Sequence, residues 1–558
     1  MSSAAHSDSA PGRLWEDALA EEVISTRAQH GLGGPIVCAS GISPSGPIHL
    51  GNLREVFTTH LVAEALRRRG EEVVHLHSWD DYDRFRRVPA GVDPSFERYV
   101  GMPLAQIPDP DGGSGSWAEH FMDELRESLE RLGIRMTERR QSRLYRAGTY
   151  NDRIRRAMDE RLHVFDVLAG QQTAGRHDAP VAERRAAYYP FRPFCTECGR
   201  DDTRVIAYRD ETVVWECRHG HAGEMSLADG AEISGKLVWK VDWPMRWAYE
   251  GVAFEPAGVD HHAPTASFTV GRVLVADLYG GRAPDTAVYG NVTLPGATAK
   301  MSSSVGGAPI PATALDVLEP AILRWLYIRR LPNQPFQIDL TPRGVLRLYD
   351  EWDRLAARVA GPDAAADEIA IHREATESSA GEVERTPRPV SFRLLSSVAD
   401  LTQGDRDQIA RIVAAHVGAA DEDPEALLAQ LQPRLDCAIH YATELVPADE
   451  RTRVRETFAA DAHDELDDEM RRAVDDLAAR MTDDWTVDGL TALVYAIPKR
   501  LLGLEPDAPP SPEIKVAQRG FFKAAYRLLV DAETGPRLPT LLLSIGPERA
   551  RELLAGSG

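Results

Sequence analysis

The residues best suited to chemistry lie in the stretch GISPSGPIHLGN, Gly41 to Asn52, which follows the apolar run PIVCAS. Glycines at positions 41, 46 and 51 allow close approach of the backbone to a ligand and positive φ. A helix predicted to begin near Gly51 points free N–H groups into this turn, and His49 and Asn52 add side-chain donors. These features predict an anion site, although a plain strand-to-helix turn with a satisfied histidine has the same pattern.

A second segment, KMSSS, runs from Lys300 to Ser304 between glycines. It offers one cation and three hydroxyl groups. Such donors on a flexible loop suit a leaving pyrophosphate, whose charge grows as the bond to the α-phosphorus breaks. A serine-rich linker is the alternative interpretation, but it does not account for the first loop.

Three of the five cysteines are clustered, in the spacing C-x2-C-x18-C-x-H-x-H formed by Cys195, Cys198, Cys217, His219 and His221. This spacing is typical of a zinc knuckle completed by a thiolate and an imidazole. We expect His221 to be the fourth ligand, because residue 219 is too close to Cys217 for tetrahedral closure. The zinc would be structural. The alternatives are a reduced hairpin with incidental cysteines and a site that has lost its fourth ligand.

The elements that must position the first loop form a βαβ pattern. PIVCAS predicts a strand, LREVFTTHLVAEALRRRG a helix ending at Gly70, and EEVVHLHSW a second strand. Such a unit implies parallel pairing with a right-handed crossover. The loop then lies at the carboxyl end of the first strand, where open α/β sheets bind ligands.

The chain of 558 residues is long enough for three or four packed units. The predicted fold class is α/β, with a Rossmann-type parallel sheet. We expect a disordered tail at 1–12, the first half of a catalytic domain at 13–89, an inserted subdomain with the zinc knuckle at 90–229, the second catalytic half with the KMSSS loop at 230–310, a helical connecting region at 311–390 and an all-helical domain at 391–558. In the last region an apolar stripe with a period of 3.6 residues follows Asp423-Pro424.

Composition limits the classes of function. A formal net charge of −22 argues against a protein that coats DNA, because affinity for phosphates needs a basic surface, although a local basic patch can still bind RNA. Without an 18-residue apolar run or a signal-peptide pattern, we expect a cytoplasmic protein with no membrane partner. A monomer is the default expectation.

In order and separation, PSGPIHLGN and KMSSS resemble the paired HIGH and KMSKS signatures of class I aminoacyl-tRNA synthetases. Further blocks, SWDDYDRFRRVP, VDWPMRW, GVDHH and FFKAAYRLLVDAETGPRLPTLLLSIG, are similar to those of class I lysyl-tRNA synthetases, over about residues 15 to 555. The resemblance implies ATP-dependent activation of L-lysine, with Mg²⁺ accompanying the ATP, and transfer to the 3′ end of tRNA(Lys). It also implies that the helical domain at 391–558 binds the anticodon.

The resemblance assigns roles to single residues. His49, Asn52 and Lys300 would be catalytic, and Ser303 stands where many members have a second lysine. The expected ATP-binding residues are Gly46, Gly51, Gly258, Asp260, Met301, Ser302, Ser303 and Ser304. By resemblance, the lysine site would contain Gly41, Ser43, Trp243, His261 and Tyr289. A buried ammonium group also needs acidic partners, which Asp80, Asp81 and Asp242 can supply.

For tRNA the sequence offers Arg519, Lys523 and Arg527, spaced four apart on one predicted helix. This face can meet phosphates, and a solvated helix face has the same pattern. Three alternatives to the lysine function stay open: a class I synthetase for glutamate, arginine or cysteine, a truncated paralogue that aminoacylates another molecule, and a catalytically silent RNA-binding paralogue.

Overall fold

The computed structural model describes residues 12–170, 179–296, 308–481 and 485–556. They form two compact units. Unit 1 consists of the described residues within Met1–Leu315, Pro320–Asp339 and Arg354–Glu384. Unit 2 consists of those within Asp316–Glu319, Leu340–Asp353 and Arg385–Gly558. Apart from Gly12, the predicted tail at 1–12 lies outside the described residues.

Unit 1 is of the α/β class. Its strands are β1 Ile36–Ile42, β2 Val73–Trp79, β3 Thr137–Arg140, β4 Phe191–Pro193, β5 Thr203–Arg209, β6 Thr212–Cys217, β7 Ala222–Ser226, β8 Gly235–Leu237, β9 Val252–Phe254, β10 Ala257–Gly258, β11 Val288–Tyr289, β12 Val292–Thr293 and β13 Phe336–Gln337. Its helices are α1 Trp15–Gln29, α2 Leu50–Arg68, α3 Trp117–Arg131, α4 Gln141–Arg146, α5 Asn151–Asp159, α6 Arg161–Gly170, α7 Val181–Ala186, α8 Trp239–Glu250, α9 Ser267–Tyr279, α10 Pro311–Leu315 and α11 Pro320–Ile328. Three 3-10 segments, Pro94–Tyr99, Leu104–Gln106 and Val259–His261, complete it.

The remaining described elements are helical. Residues of α12 Pro342–Val359 fall within the ranges of both units, and α13 Ala366–Thr376 belongs to unit 1. Unit 2 contains α14 Phe392–Leu401, α15 Arg406–Val417, α16 Pro424–Gln430, α17 Arg434–His440, a π segment at Tyr441–Leu445, α18 Ala460–Asp464, α19 Asp468–Arg480, α20 Val487–Leu501, α21 Pro512–Val530, α22 Leu538–Ile545 and α23 Pro547–Ala555. None of the helices in the described ranges combines the length and the apolar character that crossing a membrane requires.

The main sheet of unit 1 has four strands in the order β3-β2-β1-β9, and every pair is parallel. The helix α2 connects β1 to β2, whose register runs from Ile36 opposite Val73 to Ile42 opposite Trp79. The predicted βαβ unit and parallel sheet are therefore confirmed. The carboxyl ends of β1, β2 and β3 share one edge, which places the chain after each strand on the same side of the sheet.

The helix α2 is buried on almost every side, with Val56 and Phe57 at most 1% exposed. Burying one such side chain stabilises the fold by about 2 kcal/mol. Its polar residues consequently need internal partners. Arg54 donates to the carbonyl oxygens of Tyr327 at 3.2 Å and Leu331 at 2.6 Å. These bonds set the rotation of α2 about its axis, and hence the direction of Glu55.

In unit 2 most of the predicted apolar stripe is buried, with Leu428 and Ile439 partly exposed. Leu427, Leu431 and Leu435 are at most 1% exposed. A second core is shared by helices α19 to α23, where Leu477, Leu528 and Leu541 are fully buried. The described part of unit 2 contains no strand.

Candidate active site

The turn after β1 ends at His49, which is the N-cap of α2. The helix begins at Leu50, one residue before the predicted position. The backbone N–H of His49 donates to the side-chain oxygen of Asn52 at 3.2 Å, so the amide N–H groups of Asn52 remain as donors. His49 is only 6% exposed. The predicted pair of donors is thus held at the positive end of a 19-residue helix dipole.

The glycines of this turn act differently from the prediction. Gly41, Gly46 and Gly51 are not among the described residues with positive φ. Gly41 is the second-last residue of β1, and a Cβ at this position would lie 3.4 Å from the carbonyl oxygen of Ser78. The expected positive φ is therefore wrong at these positions, and the expected close approach of a ligand stays a prediction. Ser43, just beyond β1, is partly buried.

The KMSSS segment, Lys300 to Ser304, lies outside the described residues, and the roles of Lys300, Met301, Ser302, Ser303 and Ser304 stay predictions. The described chain resumes at residue 308. Pro309 accepts a 3.0 Å hydrogen bond from the backbone N–H of Leu50. The chain that follows the segment therefore meets the first residue of α2, next to His49.

One functional candidate, Glu55, was missed by sequence reasoning. Its carboxylate accepts from the backbone N–H of Gly41 at 2.6 Å and from the hydroxyl of Tyr289 at 2.7 Å. Burial raises the pKa of Glu55 to about 8. Among the described residues no lysine or arginine pairs with it. An acidic residue one turn after Asn52, on the predicted helix, was the available signal.

Tyr289 is brought to this carboxylate by a short parallel pair. It lies on β11, directly opposite Gly258 on β10. A Cβ on Gly258 would meet the Tyr289 ring at 3.3 Å, so the glycine leaves room for the phenol. Asp260 and His261 follow Gly258 on a 3-10 segment, and Asp260 is exposed. The structure therefore gathers Gly41, Tyr289 and Gly258 around Glu55.

Three tryptophans of α8 form an aromatic wall. Trp239, Trp243 and Trp247 are spaced four apart, and both outer rings lie 5.0 Å from the Trp243 ring. The indole N–H groups of Trp243 and Trp247 donate to the two carboxylate oxygens of Glu255, at 3.0 and 2.6 Å. Burial raises the pKa of Glu255 to about 7.

His261 meets the same wall. Its ring lies edge-on to Trp243, with ring centroids 5.4 Å apart. The predicted neighbours Trp243 and His261 are therefore in contact.

The three predicted aspartates already have cationic partners. Arg246 pairs with Asp80 at 2.6 Å and also with Asp242. Asp242 lies 3.4 Å from Lys236 as well. Both carboxylates share the Arg246 guanidinium, and burial still raises the pKa of Asp80 to about 6.

Asp81 is fully buried, and both of its carboxylate oxygens accept hydrogen bonds. It accepts from Arg140 Nε and from the backbone N–H of Ser142, both at 2.8 Å. The hydroxyl of Ser142 donates to it at 2.5 Å. Its bonds connect the end of β2 to the start of α4.

A small cavity of about 30 Å³ lies between these groups, lined in part by Gly41, Asp80, Trp243, Arg246 and Glu255. This volume has room for water-sized groups. Around Asp80, side chains of the protein itself, among them Arg246 and Trp243, form the wall of the cavity.

The cysteine cluster is a separate feature of unit 1. Cys195 and Cys198 lie in the loop between β4 and β5, Cys217 ends β6 and His221 precedes β7. Their ligand atoms all lie within 4.8 Å of one another. Cys195 Sγ is 3.3 Å from His221 Nδ1, and the sulfurs of Cys198 and Cys217 are 3.8 Å apart.

His219 points to a different partner. Its Nε2 lies 3.5 Å from Asp202 Oδ2. The structure brings His221, and not His219, to the three thiols.

The basic residues singled out for tRNA lie on α21. Arg519 and Lys523 are exposed. Lys523 pairs with Glu533 at 2.6 Å, and Arg527 pairs with Glu465. Two of the three positive charges are therefore partly compensated.

Comparison with known proteins gives consistent matches over nearly the whole chain. The family described as tRNA synthetases class I (K) matches residues 13–382. A lysine–tRNA ligase from Streptomyces coelicolor is 45% identical, covering 97% of this chain and 98% of its own. Lysine–tRNA ligases from Pyrococcus horikoshii and Pyrococcus furiosus are 32% and 31% identical, covering 95% and 96% of this chain and 97% and 98% of their own.

Proposed function

The chain belongs to the class I tRNA synthetases (K), and from that premise we propose that it ligates L-lysine to the 3′ end of tRNA(Lys) in protein synthesis. The lysine carboxylate first attacks the α-phosphorus of ATP, which gives lysyl-adenylate and releases pyrophosphate. A terminal ribose hydroxyl of the tRNA then takes the lysyl group, and AMP leaves. The observation that carries the lysine assignment is Glu55, a carboxylate held by neutral donors beside the N-terminus of α2.

Glu55 is proposed to bind the ε-ammonium group. An ionised carboxylate shielded from water costs several kcal/mol unless a cation compensates it, and its raised pKa reflects that cost. The ammonium of lysine supplies the missing charge, and the oxygen of Tyr289 is placed to accept from it. A glutamate substrate would bring a second negative charge to Glu55, which is unfavourable.

Trp243 and His261 are proposed as the wall against which lysine packs, with Gly41 and Ser43 on the opposite side. Asp80 and Asp242 hold Arg246, and Asp81 holds Arg140. We therefore assign these aspartates to positioning the basic side chains around the site, and we assign contact with the ammonium to Glu55. Their spacing in the sequence did not distinguish the two roles.

His49 and Asn52 are proposed as donors to the α-phosphate of ATP, where negative charge grows as the lysine carboxylate attacks. Gly46 and Gly51 admit the phosphates, and Gly258 and Asp260 are assigned to the adenosine ribose. Mg²⁺ accompanies ATP as charge compensation. We assign contact with the pyrophosphate to Lys300, Met301, Ser302, Ser303 and Ser304. The hydrogen bond from the Leu50 N–H to the Pro309 carbonyl oxygen supports a position of this segment near His49.

A structural zinc ion is proposed at Cys195, Cys198, Cys217 and His221. Zn–S bonds of about 2.3 Å at tetrahedral angles separate two sulfurs by about 3.8 Å, and Cys198 and Cys217 have that separation. Four protein ligands leave no open position for chemistry. The ion would join the β4–β5 loop to the β6–β7 turn.

The helical residues of unit 2 are proposed to bind the anticodon. Arg519 is the member of the predicted basic set that pairs with no carboxylate among the described residues. A cytoplasmic monomer is part of the same proposal.

The test is ATP–pyrophosphate exchange with lysine, glutamate, arginine and cysteine in turn, with and without tRNA(Lys). We expect exchange with lysine alone among the four, and its loss in Lys300→Ala. Exchange driven by glutamate, arginine or cysteine would overturn the lysine assignment. Absence of exchange with all four, with and without tRNA, would support a silent RNA-binding paralogue.

A further inference from the structure

Glu255 is a buried acidic residue to which the function proposed above assigns no role. It lies between β9 and β10, is 7% exposed and lines the small cavity that Gly41 and Trp243 also line. Among the described residues no ion pair joins its carboxylate to a lysine or an arginine. Its two oxygens accept from indole N–H groups, that of Trp243 at 3.0 Å and that of Trp247 at 2.6 Å. A carboxyl group held by neutral donors is costly to bury, which points to a role beyond packing.

The backbone of Glu255 is fixed to the segment that leads into β11. Its N–H donates to the carbonyl oxygen of Asp285 at 3.0 Å, and its carbonyl oxygen accepts from the Thr286 hydroxyl at 2.7 Å. Three residues further on, Gly258 of β10 lies opposite Tyr289 of β11. The hydrogen bonds of Glu255 therefore continue the strand pairing that carries the Tyr289 hydroxyl.

Of the two indole donors, Trp247 is held by packing. It is 1% exposed, and its ring centroid lies 5.0 Å from that of Phe268. A Cβ on Gly271 of α9 would come within 2.8 Å of the Trp247 ring, so this ring fills the space that the glycine leaves. Trp247 consequently has a defined position apart from its hydrogen bond to Glu255.

Trp243 lies on the ligand side of the wall. Its ring is flanked by those of Trp239 and Trp247, with His261 at its edge. It also lines the small cavity. Its one polar atom, the indole Nε1, donates to Glu255. This hydrogen bond fixes the direction of the indole, and hence the part of the ring that faces the cavity.

We infer that Glu255 is a positioning residue that holds the Trp243 ring against the side chain of lysine and so determines selectivity for side-chain length. The inference rests on the proposed function, in which lysine packs on Trp243 and its ammonium group meets Glu55. One methylene group contributes roughly 10- to 200-fold to such selectivity, provided that the ring stays in place. Glutamine at this position is a poor substitute, because its amide has one oxygen to accept and its NH₂ group opposes the second indole N–H.

The test is ATP–pyrophosphate exchange in the presence of tRNA(Lys), with L-lysine and with L-ornithine, whose side chain is one methylene group shorter. The variants are Glu255→Gln, Glu255→Gln/Trp247→Phe and Glu255→Met/Trp247→Phe. The two double variants differ only in whether residue 255 can accept from Trp243, since the change at 247 removes the opposing donor. Glu374→Gln, which removes a buried carboxylate of α13 paired with Arg68 at 2.8 Å, is the control for loss of stability alone.

In Glu255→Gln we expect the KM for lysine to rise about tenfold and kcat to change by less than about twofold, the pattern of a lost contact shared by ground state and transition state. The KM for ornithine should rise less, because its shorter side chain makes fewer contacts with the ring, so the preference for lysine narrows. Glu255→Gln/Trp247→Phe should recover a KM near that of the wild type, whereas Glu255→Met/Trp247→Phe should not. Glu374→Gln should lower the melting temperature and leave both KM values unchanged.

An unchanged KM for lysine in Glu255→Gln would overturn the inference, and so would equal increases for lysine and ornithine. Thermal unfolding shows whether each variant folds. If Glu255→Gln does not fold, the two double variants decide, and equal KM values for lysine in that pair would overturn the inference. Lack of lysine-dependent exchange in the wild type would refute the proposed function itself, whereas wild-type exchange with unaltered selectivity in the variants would refute only the role of Glu255.

Discussion

The carboxylate of Glu55 and the hydroxyl of Tyr289 are joined by a 2.7 Å hydrogen bond across 234 residues of sequence. The first lies on α2 and the second on β11. The remaining oxygen of Glu55 accepts from Gly41 at the end of β1. Three elements therefore meet at one carboxyl group that pairs with no cation among the described residues, and we propose that an ammonium group of the ligand supplies the partner.

Replacing Glu55 by glutamine tests this assignment most directly. Glutamine keeps the shape and removes the charge, so Glu55→Gln should raise the KM for lysine about a hundredfold, equivalent to about 3 kcal/mol. The KM is measured by pyrophosphate exchange at saturating ATP. Glu22→Gln, at an exposed position on α1, is the control and should behave as the wild type. An unchanged KM in Glu55→Gln would exclude the ammonium contact.

The pH dependence of lysine binding follows from the same residue. The pKa of Glu55 is raised to about 8, so below pH 8 the carboxyl must lose a proton before it can pair with an ammonium. The KM for lysine should therefore rise as the pH falls below 8, by up to tenfold per pH unit. In Glu55→Gln this dependence should disappear between pH 6.5 and 8.5. Parallel profiles for the two proteins would show that another group titrates.

Asn52 has two functions that substitution can separate. Asn52→Asp keeps the oxygen that accepts from the His49 N–H but removes the amide donors. We expect kcat for exchange to fall roughly a hundredfold, the usual effect of losing one donor to a developing negative charge, with little change in melting temperature. Asn52→Ala should lose the same activity and also about 1 kcal/mol of stability, because the bond to the helix cap is broken. A fully active Asn52→Asp would remove Asn52 from the phosphate site.

The cysteine cluster predicts a metal content. The purified protein should contain about one equivalent of zinc, and Cys217→Ser should reduce it below half while lowering the melting temperature. His219→Ala is the matched control, because His219 faces Asp202 rather than the thiols. It should retain zinc, whereas His221→Ala should not. Zinc retained in His221→Ala but lost in His219→Ala would reverse the choice of ligand.

His75 predicts a pH dependence of stability. It is buried on β2, and neither ring nitrogen has a hydrogen-bond partner among the described residues. Burial, with smaller contributions from His60 and His77, lowers its pKa well below 6.5. As the pH falls below 6.5, His75 becomes protonated in the unfolded chain but stays neutral in the folded protein. The free energy of unfolding therefore decreases as the pH falls.

His75→Leu removes that penalty. The free energy of unfolding of His75→Leu, relative to that of the wild type, should increase by about 1 kcal/mol for each pH unit below 6.5. Denaturant titrations at pH 8 and pH 5.5 measure the difference between the variant and the wild type. His30→Leu, at an exposed position, should show no such trend. An advantage of equal size at both pH values would mean that His75 is protonated in the folded state.

The sequence by itself determined the βαβ unit, the parallel sheet and the members of the cysteine cluster. These follow from local rules: a β-branched run, a turn rich in glycine, a helix of 3.6-residue period and a characteristic spacing of thiols. His49 and Asn52 could be named because they lie within one helical turn of each other. Cys195, Cys198, Cys217 and His221 could be named because metal ligands recur at fixed intervals.

Only the tertiary structure decided which acidic groups, Glu55 and Glu255 among them, have no ion-pair partner among the described residues. Asp80, Asp81 and Asp242 are buried and Glu55 is partly buried, and sequence favoured the three aspartates. Arg140, Arg246 and Lys236 compensate those three, whereas Glu55 meets only a backbone N–H and a phenol. Compensation of charge depends on which side chains meet across the fold. Residues separated by more than 200 positions in the chain carry no local signal of that meeting.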